Sequence, residues 1–151
     1  MIKTILDELN ITSYCKTSGV TGLHIYFPLG RRYTYAECQL LGRLIATEAN
    51  NRLPKITSIE RYTLKRKNKI YIDFLQNRPK ATVAAPYSVR PHPAATVSMP
   101  LYWDEVNKKL KPTKFTLKNA MMRMQSEGDL FKPILKKGID LKRAVNLLKS
   151  K

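Results

Sequence analysis

Four prolines close together set the strongest limit on how this chain can fold. They stand at positions 86, 91, 93 and 100 of a 151-residue sequence. Proline fixes its own φ angle and lacks a backbone N–H, so no regular helix can run through this stretch. We therefore expect an ordered, extended loop there, with regular elements before and after it.

Hydrophobic periodicity predicts those elements. The best-defined one is a helix over about 35–52, because Thr34 and Glu37 have the spacing of a capping box and apolar residues follow at helical intervals. The other expected elements are helices near 2–10, after Thr57, at 116–127 and at 140–149, and strands at 23–29, at 70–75 and near 81–85. Since strands and crossover helices do not alternate regularly, the pattern predicts an α+β fold with a small antiparallel or mixed sheet flanked by helices.

The charge of the chain favours a polyanionic partner. Its 28 Lys and Arg residues against 11 Asp and Glu give a formal charge of 28 − 11 = +17, whereas ordinary small domains reach solubility with a net charge of about 2–8. The bases are densest at 61–80 and 108–151. Nucleic acid is favoured over a membrane, because no helix combines this charge with a broad aromatic and aliphatic face. The alternative is a basic surface that serves solubility alone.

Other features of the sequence predict a cytoplasmic protein. No apolar run approaches the ~20 residues of a membrane span, and the first ten residues are acidic and periodic, unlike a signal peptide. Cys15 and Cys38 have neither disulfide-scaffold nor metal-ligand spacing, which favours reduced, packed thiols.

Three places carry side chains suited to chemistry. Ser18, Gly19 and His24 surround a glycine-punctuated loop at the entrance of a strand; it can hold an anion, or it is a tight turn with a solvent-facing serine. Asp73 interrupts an apolar strand and is either ion-paired to a nearby base or a ligand of a divalent metal. Arg90 is either a phosphate fork or one arginine among many.

Five segments, taken in order, give a more specific indication. They are Lys16-Thr17-Ser18-Gly19-x-x-Gly22-Leu23-His24, then Arg66, then Ile72-Asp73-Phe74-Leu75-Gln76-Asn77, then Ala85-Pro86-Tyr87-Ser88-Val89-Arg90, then Pro100-Leu101-x-Trp103-Asp104-Glu105. Together they resemble the polymerase domain of bacterial DNA ligase D, which belongs to the archaeo-eukaryotic primase superfamily and serves non-homologous end joining. The resemblance covers residues 1–131 and implies a partial primase-like, RRM-like fold. Residues 132–151 are expected to form a basic C-terminal helix.

The resemblance also implies roles for individual residues. Ser18 and His24, with the amide of Gly19, would hold the triphosphate of an incoming nucleoside triphosphate. Asp73 would be the catalytic carboxylate that binds Mn²⁺ or Mg²⁺. The implied phosphate or nucleotide contacts are Arg66, Gln76 and Arg90. The implied reaction is attack of a primer 3′-hydroxyl on the α-phosphate, with two metal ions stabilising the attacking and leaving oxygens.

Two departures from the family pattern bear on activity. Thr21 stands where family members commonly have a lysine before the second glycine of the loop. The family's first metal motif, an Asp-x-Asp pair, lies upstream of the matching segment, and the 151 residues contain no such pair. We therefore expect the C-terminal half of such a domain, with an incomplete metal site and impaired catalysis when alone.

These expectations leave the partners open. DNA, at an end or a gap, is the expected macromolecule. The missing motif could come from a separate N-terminal half or a ligase subunit, and a homodimer would cover apolar surface left by a missing half. The alternative function is a non-catalytic module that binds DNA ends or a 5′-phosphate.

Overall fold

A computed structural model describes residues 1–150 of the chain. Its helices and strands, in chain order, are α1 (Ile2–Glu8), β1 (Tyr14–Thr17), β2 (Leu23–Tyr26), α2 (Tyr35–Arg52), β3 (Thr57–Ser58), β4 (Ile70–Tyr71), β5 (Pro100–Leu101), α3 (Leu117–Glu127) and α4 (Leu141–Lys149). Short 3₁₀ helices cover Thr63–Arg66, Trp103–Glu105 and Lys132–Leu135. The elements divide between two compact units. None of the helices in residues 1–150 combines the length and apolar character of a membrane span.

The first unit consists of Met1–Thr12, Leu29–Thr82 and the segment that starts at Gly138. Helices α1 and α4 both pack against α2. The apolar faces of these helices supply the buried side chains of this unit, which include Ile5, Leu6, Leu41, Ile45, Leu141, Val145 and Leu148. Arg52 also ties α2 to α1, because its Nη1 and Nη2 lie 2.6 and 2.7 Å from the two carboxylate oxygens of Glu8.

The start of α2 matches the predicted capping box. Thr34 Oγ1 accepts a hydrogen bond from the Glu37 amide at 3.3 Å, and the Thr34 amide donates to Glu37 Oε2 at 2.8 Å. Both contacts satisfy amides that have no partner inside the helix. The helix over 35–52 is thus confirmed at both ends.

The second unit consists of Ser13–Pro28 and Val83–Lys137. Its sheet is antiparallel with the order β2-β1-β5. One core cluster lies beside this sheet and contains Cys15, Val97, Met99, Leu101, Phe115 and Ala120. The proline-rich stretch forms no regular helix, as predicted, but it is not extended throughout. Turns at 86–87 and 93–94 fold it back on itself, so that the Arg90 amide donates to Thr96 O at 2.7 Å and Val89 forms an isolated bridge with Val97. The α+β prediction is confirmed.

Several predicted elements are wrong. The segment after Thr57 is strand β3, which pairs in parallel with β4, and the Thr57 hydroxyl donates to Leu53 O instead of capping a helix. The strand predicted at 70–75 ends at Tyr71, because Asp73 Oδ1 accepts from the Leu75 amide at 2.9 Å and turns the chain. The strand predicted at 23–29 ends at Tyr26, and residues 81–85 form no strand.

Candidate functional site

The loop between β1 and β2 is closed by the side chain of Ser18. Ser18 Oγ accepts hydrogen bonds from the amides of Val20 at 3.1 Å and Gly22 at 3.0 Å, and the Ser18 amide donates to Gly22 O at 2.8 Å. A hydroxyl has two lone pairs and one hydrogen. Since the two amides occupy the lone pairs, the Ser18 O–H remains to donate. The loop is therefore a tight turn that also offers a hydrogen-bond donor.

Gly19 lets Arg90 lie directly against this loop. Its φ angle is +76°, and a Cβ placed on it would stand 2.5 Å from Arg90 Cγ. The Nε of Arg90 is buried and has no hydrogen-bond partner within residues 1–150. A buried guanidinium N–H without a partner is costly, and phosphate oxygens match the planar fork of arginine. The Arg90 side chain as a whole is only partly buried, so its guanidinium can turn toward an anion held beside the loop.

A second contact fixes the segment that carries Arg90. The Tyr87 hydroxyl donates to Asp129 Oδ1 at 2.9 Å and accepts from the Leu130 amide at 3.0 Å. Burial, together with the neighbouring Asp129 carboxylate, raises the pKa of Tyr87 to about 12. The hydroxyl therefore keeps its proton, and the segment its anchor, throughout the physiological pH range.

His24 lies on β2, directly opposite Lys16 on β1. Lys16 Nζ is 2.9 Å from His24 Nδ1 and 2.6 Å from Ser98 Oγ. Burial, together with the positive charge of Arg90, lowers the pKa of the Lys16 ammonium to about 8. The pairing of β1 with β2 thus sets a cation and an imidazole side by side, close to Arg90.

Ser18, Gly19, His24 and Arg90, which we call the cradle, all belong to the second unit: Arg90 lies against the Ser18 loop, and Lys16 links His24 to Ser98, whose backbone lies beside Gly19. They combine a hydroxyl donor, an imidazole and a guanidinium around a glycine loop. Charge-assisted hydrogen bonds of this kind are the strong contacts in phosphate recognition. The chemistry that the cradle supports is the binding of a multiply charged anion.

The remaining predicted residues belong to the first unit. Arg66 ends the 3₁₀ helix Thr63–Arg66, where its Nε donates to Glu60 O at 2.8 Å and its Nη2 to Arg61 O at 2.5 Å. The Cζ of Arg66 also lies 3.9 Å from the centre of the Tyr71 ring. Two of the five donors of Arg66 thus hold its own loop.

Asp73 and Gln76 lie in the exposed turn that follows β4. None of the ion pairs within residues 1–150 includes Asp73, so the ion-paired alternative is not what the structure has. The carboxylate serves the turn instead, through the Leu75 amide. An alanine Cβ at Gly42 would stand 3.3 Å from Asn77 Nδ2 and 3.4 Å from Phe74 Cβ, so this turn packs closely against α2.

The donor set does not fit a complete metal centre. Within the described part of the chain, no three His, Cys, Asp or Glu side chains stand together in a way that could hold a metal ion. Divalent Mg²⁺ and Mn²⁺ favour several oxygen ligands, and among the predicted site residues only Asp73 has a carboxylate.

No role was predicted from the sequence for the residues that support the cradle, although Lys16 and Thr17 belong to the first motif. Lys16, Thr17, Thr96 and Ser98 are buried polar residues of the second unit. Thr17 Oγ1 accepts from the Met99 amide at 2.9 Å, and Thr96 Oγ1 donates to Gly19 O. One signal was available: a hairpin closed by the turn at 18–22 brings position 16 opposite position 24.

The chain is an α+β protein in which a glycine-punctuated loop lies beside Arg90. Comparison with known proteins makes the assignment specific, since residues 1–131 match the family model described as LigD, primase-polymerase domain. The chain therefore belongs to the LigD primase-polymerase domain family.

The curated relatives are much longer than this chain. The Bifunctional non-homologous end joining protein LigD of Bacillus subtilis is 38% identical over 128 residues, which are 84% of this chain and 21% of that protein. The Multifunctional non-homologous end joining protein LigD of Mycolicibacterium smegmatis is 30% identical over 134 residues, or 88% and 17% of the two chains. The chain thus spans about a fifth of the length of these relatives.

A solved structure agrees with the fold. The polymerase domain from Mycobacterium tuberculosis ligase D, in complex with DNA, superimposes with a TM-score of 0.82 at 24% identity. The match covers 91% of this chain and 48% of that one. At this level of identity the likeness establishes the fold, and the primase-like architecture that was predicted from the sequence is confirmed.

Proposed function

We propose that this chain is the nucleotide-binding part of a ligase D-type primase-polymerase domain that acts in non-homologous end joining, and that the cradle holds the triphosphate of the incoming nucleotide. The observation that carries the proposal is the close approach of the partly buried Arg90 side chain to the Ser18 loop, where a Cβ on Gly19 would stand 2.5 Å from Arg90 Cγ. The Arg90 guanidinium would contact a phosphate oxygen there, and the Ser18 hydroxyl and the His24 imidazole would add donors around the same group.

The test is calorimetric titration of the purified chain with a nucleoside triphosphate and with the matching monophosphate. Because the cradle recognises charge and phosphate oxygens, the triphosphate is expected to bind at least about tenfold more tightly, the difference that one charge-assisted hydrogen bond would give. Equal affinities would mean that the base or sugar dominates, and would overturn the assignment of the cradle.

We further propose that Asp73 can contribute one metal ligand and that catalysis requires carboxylates beyond those of the 151 residues. A separate polypeptide, such as an N-terminal half or a ligase subunit, could supply them. This follows from the donor set, since one exposed carboxylate and water would bind Mg²⁺ or Mn²⁺ weakly.

A primer-extension assay tests whether catalysis requires further carboxylates. With Mn²⁺ or Mg²⁺, the chain alone is expected to incorporate nucleotide no faster than its Asp73→Ala variant. Robust incorporation that Asp73→Ala abolishes would show that the residues present suffice.

DNA is the proposed macromolecular partner, in line with the charge of +17. A non-catalytic module that binds a 5′-phosphorylated DNA end is the second candidate, and the incomplete donor set favours it. The two candidates separate by competition. If the terminal phosphate binds in the cradle, free triphosphate should displace a 5′-phosphorylated oligonucleotide. If the cradle holds only nucleotide, the oligonucleotide should stay bound.

A further inference from the structure

Lys16 is a lysine with 0% of its surface exposed. Lysine is almost never fully buried unless its charge is paired. Among residues 1–150, however, no ion pair involves Lys16. Its ammonium instead meets Ser98 Oγ at 2.6 Å, His24 Nδ1 at 2.9 Å and the face of the Tyr26 ring at 5.7 Å. The position therefore retains a costly cation with neutral partners, which calls for a reason beyond packing.

The direction of the hydrogen bonds is fixed by Ser98. Ser98 Oγ donates its own hydrogen to Thr17 O at 2.7 Å, so toward Lys16 it can only accept. An ammonium has three donors and no acceptor. Below the Lys16 pKa of about 8 the side chain is an ammonium, so it also donates toward His24, whose Nδ1 must accept. In a neutral imidazole with Nδ1 as the acceptor, the proton resides on Nε2.

We propose that Lys16 is a positioning residue that holds His24 in the Nε2–H tautomer, so that the imidazole presents an N–H donor to the phosphate bound in the cradle. Its last step rests on the proposed function; the control of the tautomer does not. Lys16 itself cannot touch the ligand, because it is fully buried. Its effect reaches the anion only through His24 and through the shape of the β1–β2 hairpin.

Nitrogen NMR of the full chain tests the tautomer directly. The sequence contains only two histidines, His24 and His92, so the signals of a ¹⁵N-histidine-labelled sample are assigned by comparison with His92→Gln. We expect His24 to carry its proton on Nε2 and none on Nδ1. A proton on Nδ1 in the wild-type chain overturns the proposal without any variant at Lys16.

Lys16→Met provides the second arm, because methionine keeps the length of the stem and removes every donor. We expect the His24 signals to move toward a mixture of tautomers while those of His92 stay in place, and triphosphate affinity to fall by about tenfold. Unchanged His24 signals in folded Lys16→Met protein overturn the proposal. Arg90→Gln should weaken binding and leave the tautomer as it is.

The two readouts separate the two proposals. If the Nε2–H tautomer is found and depends on Lys16 but no triphosphate binds, the function assigned to the cradle fails and the control of His24 by Lys16 stands. If triphosphate binds and the tautomer does not depend on Lys16, the reverse holds.

Discussion

Replacing Gly19 with alanine is expected to lower triphosphate affinity by about 10- to 100-fold, the range that follows from removing one hydrogen bond to a charged group. Two effects add at this position. The φ angle of +76° disfavours any side chain, and the new Cβ would stand 2.5 Å from Arg90 Cγ. Arg90 must then leave the loop, and its guanidinium can no longer contact a phosphate held there. Calorimetric titration, with circular dichroism to verify folding, measures the change in affinity.

Two other glycines provide matched controls. An alanine Cβ at Gly22, in the same loop, would meet no atom within 4 Å, and the contacts of Gly22 to Ser18 are made by its backbone. Gly128 has a φ of +68° and equally open surroundings. Gly22→Ala should therefore bind triphosphate like the wild type, and Gly128→Ala should lose stability without losing affinity. If a Gly19→Ala chain folds and binds triphosphate with normal affinity, Arg90 is not part of the cradle.

The affinity for duplex DNA is expected to fall by about 10³-fold or more as salt rises from roughly 50 to 200 mM, as for proteins that contact about six to ten phosphates. The formal charge of +17 makes a contact area of this size reasonable for so short a chain. Each neutralised phosphate releases counterions, so the logarithm of the affinity falls linearly with the logarithm of the salt concentration. Fluorescence anisotropy with a labelled duplex gives this slope.

Charge-neutralising pairs in the two basic stretches refine the test. Lys65→Gln with Lys67→Gln, and Lys108→Gln with Lys109→Gln, should each flatten the slope by about one for every phosphate that the variant no longer neutralises. Arg90→Gln should change it by one at most, since it removes a single charge. An affinity that does not depend on salt would contradict an electrostatic mode of DNA binding.

Helices that are fixed by residues close together in the sequence could be predicted from the sequence. Helix α2 follows from its capping box and apolar periodicity, and α4 begins where Asp140 Oδ1 accepts from the Arg143 amide at 3.0 Å. The strand expected at 70–75 failed for an equally local reason. The apolar pattern around Asp73 is that of a strand, but its carboxylate bonds the Leu75 amide and competes with strand pairing.

The support of the cradle depends on distant contacts and could not be predicted in the same way. A lysine within a short strand is normally exposed. Lys16 is buried, and its ammonium donates to Ser98, which is 82 residues away along the chain. The gathering of Ser18, Gly19, His24 and Arg90 was implied by the resemblance to the ligase D polymerase domain. The hydrogen bonds of Arg66 to backbone carbonyls, in contrast, had no signal in the sequence.

Titration of a nucleoside triphosphate into Arg90→Gln and Arg143→Gln shows whether Arg90 holds the triphosphate beside the Ser18 loop. The two variants lose the same charge, but Arg143 lies on the exposed face of α4. Arg90→Gln should weaken binding by about tenfold or more, while Arg143→Gln should bind like the wild type. Equal losses of affinity in the two variants would show that net charge, and not the cradle, attracts the nucleotide.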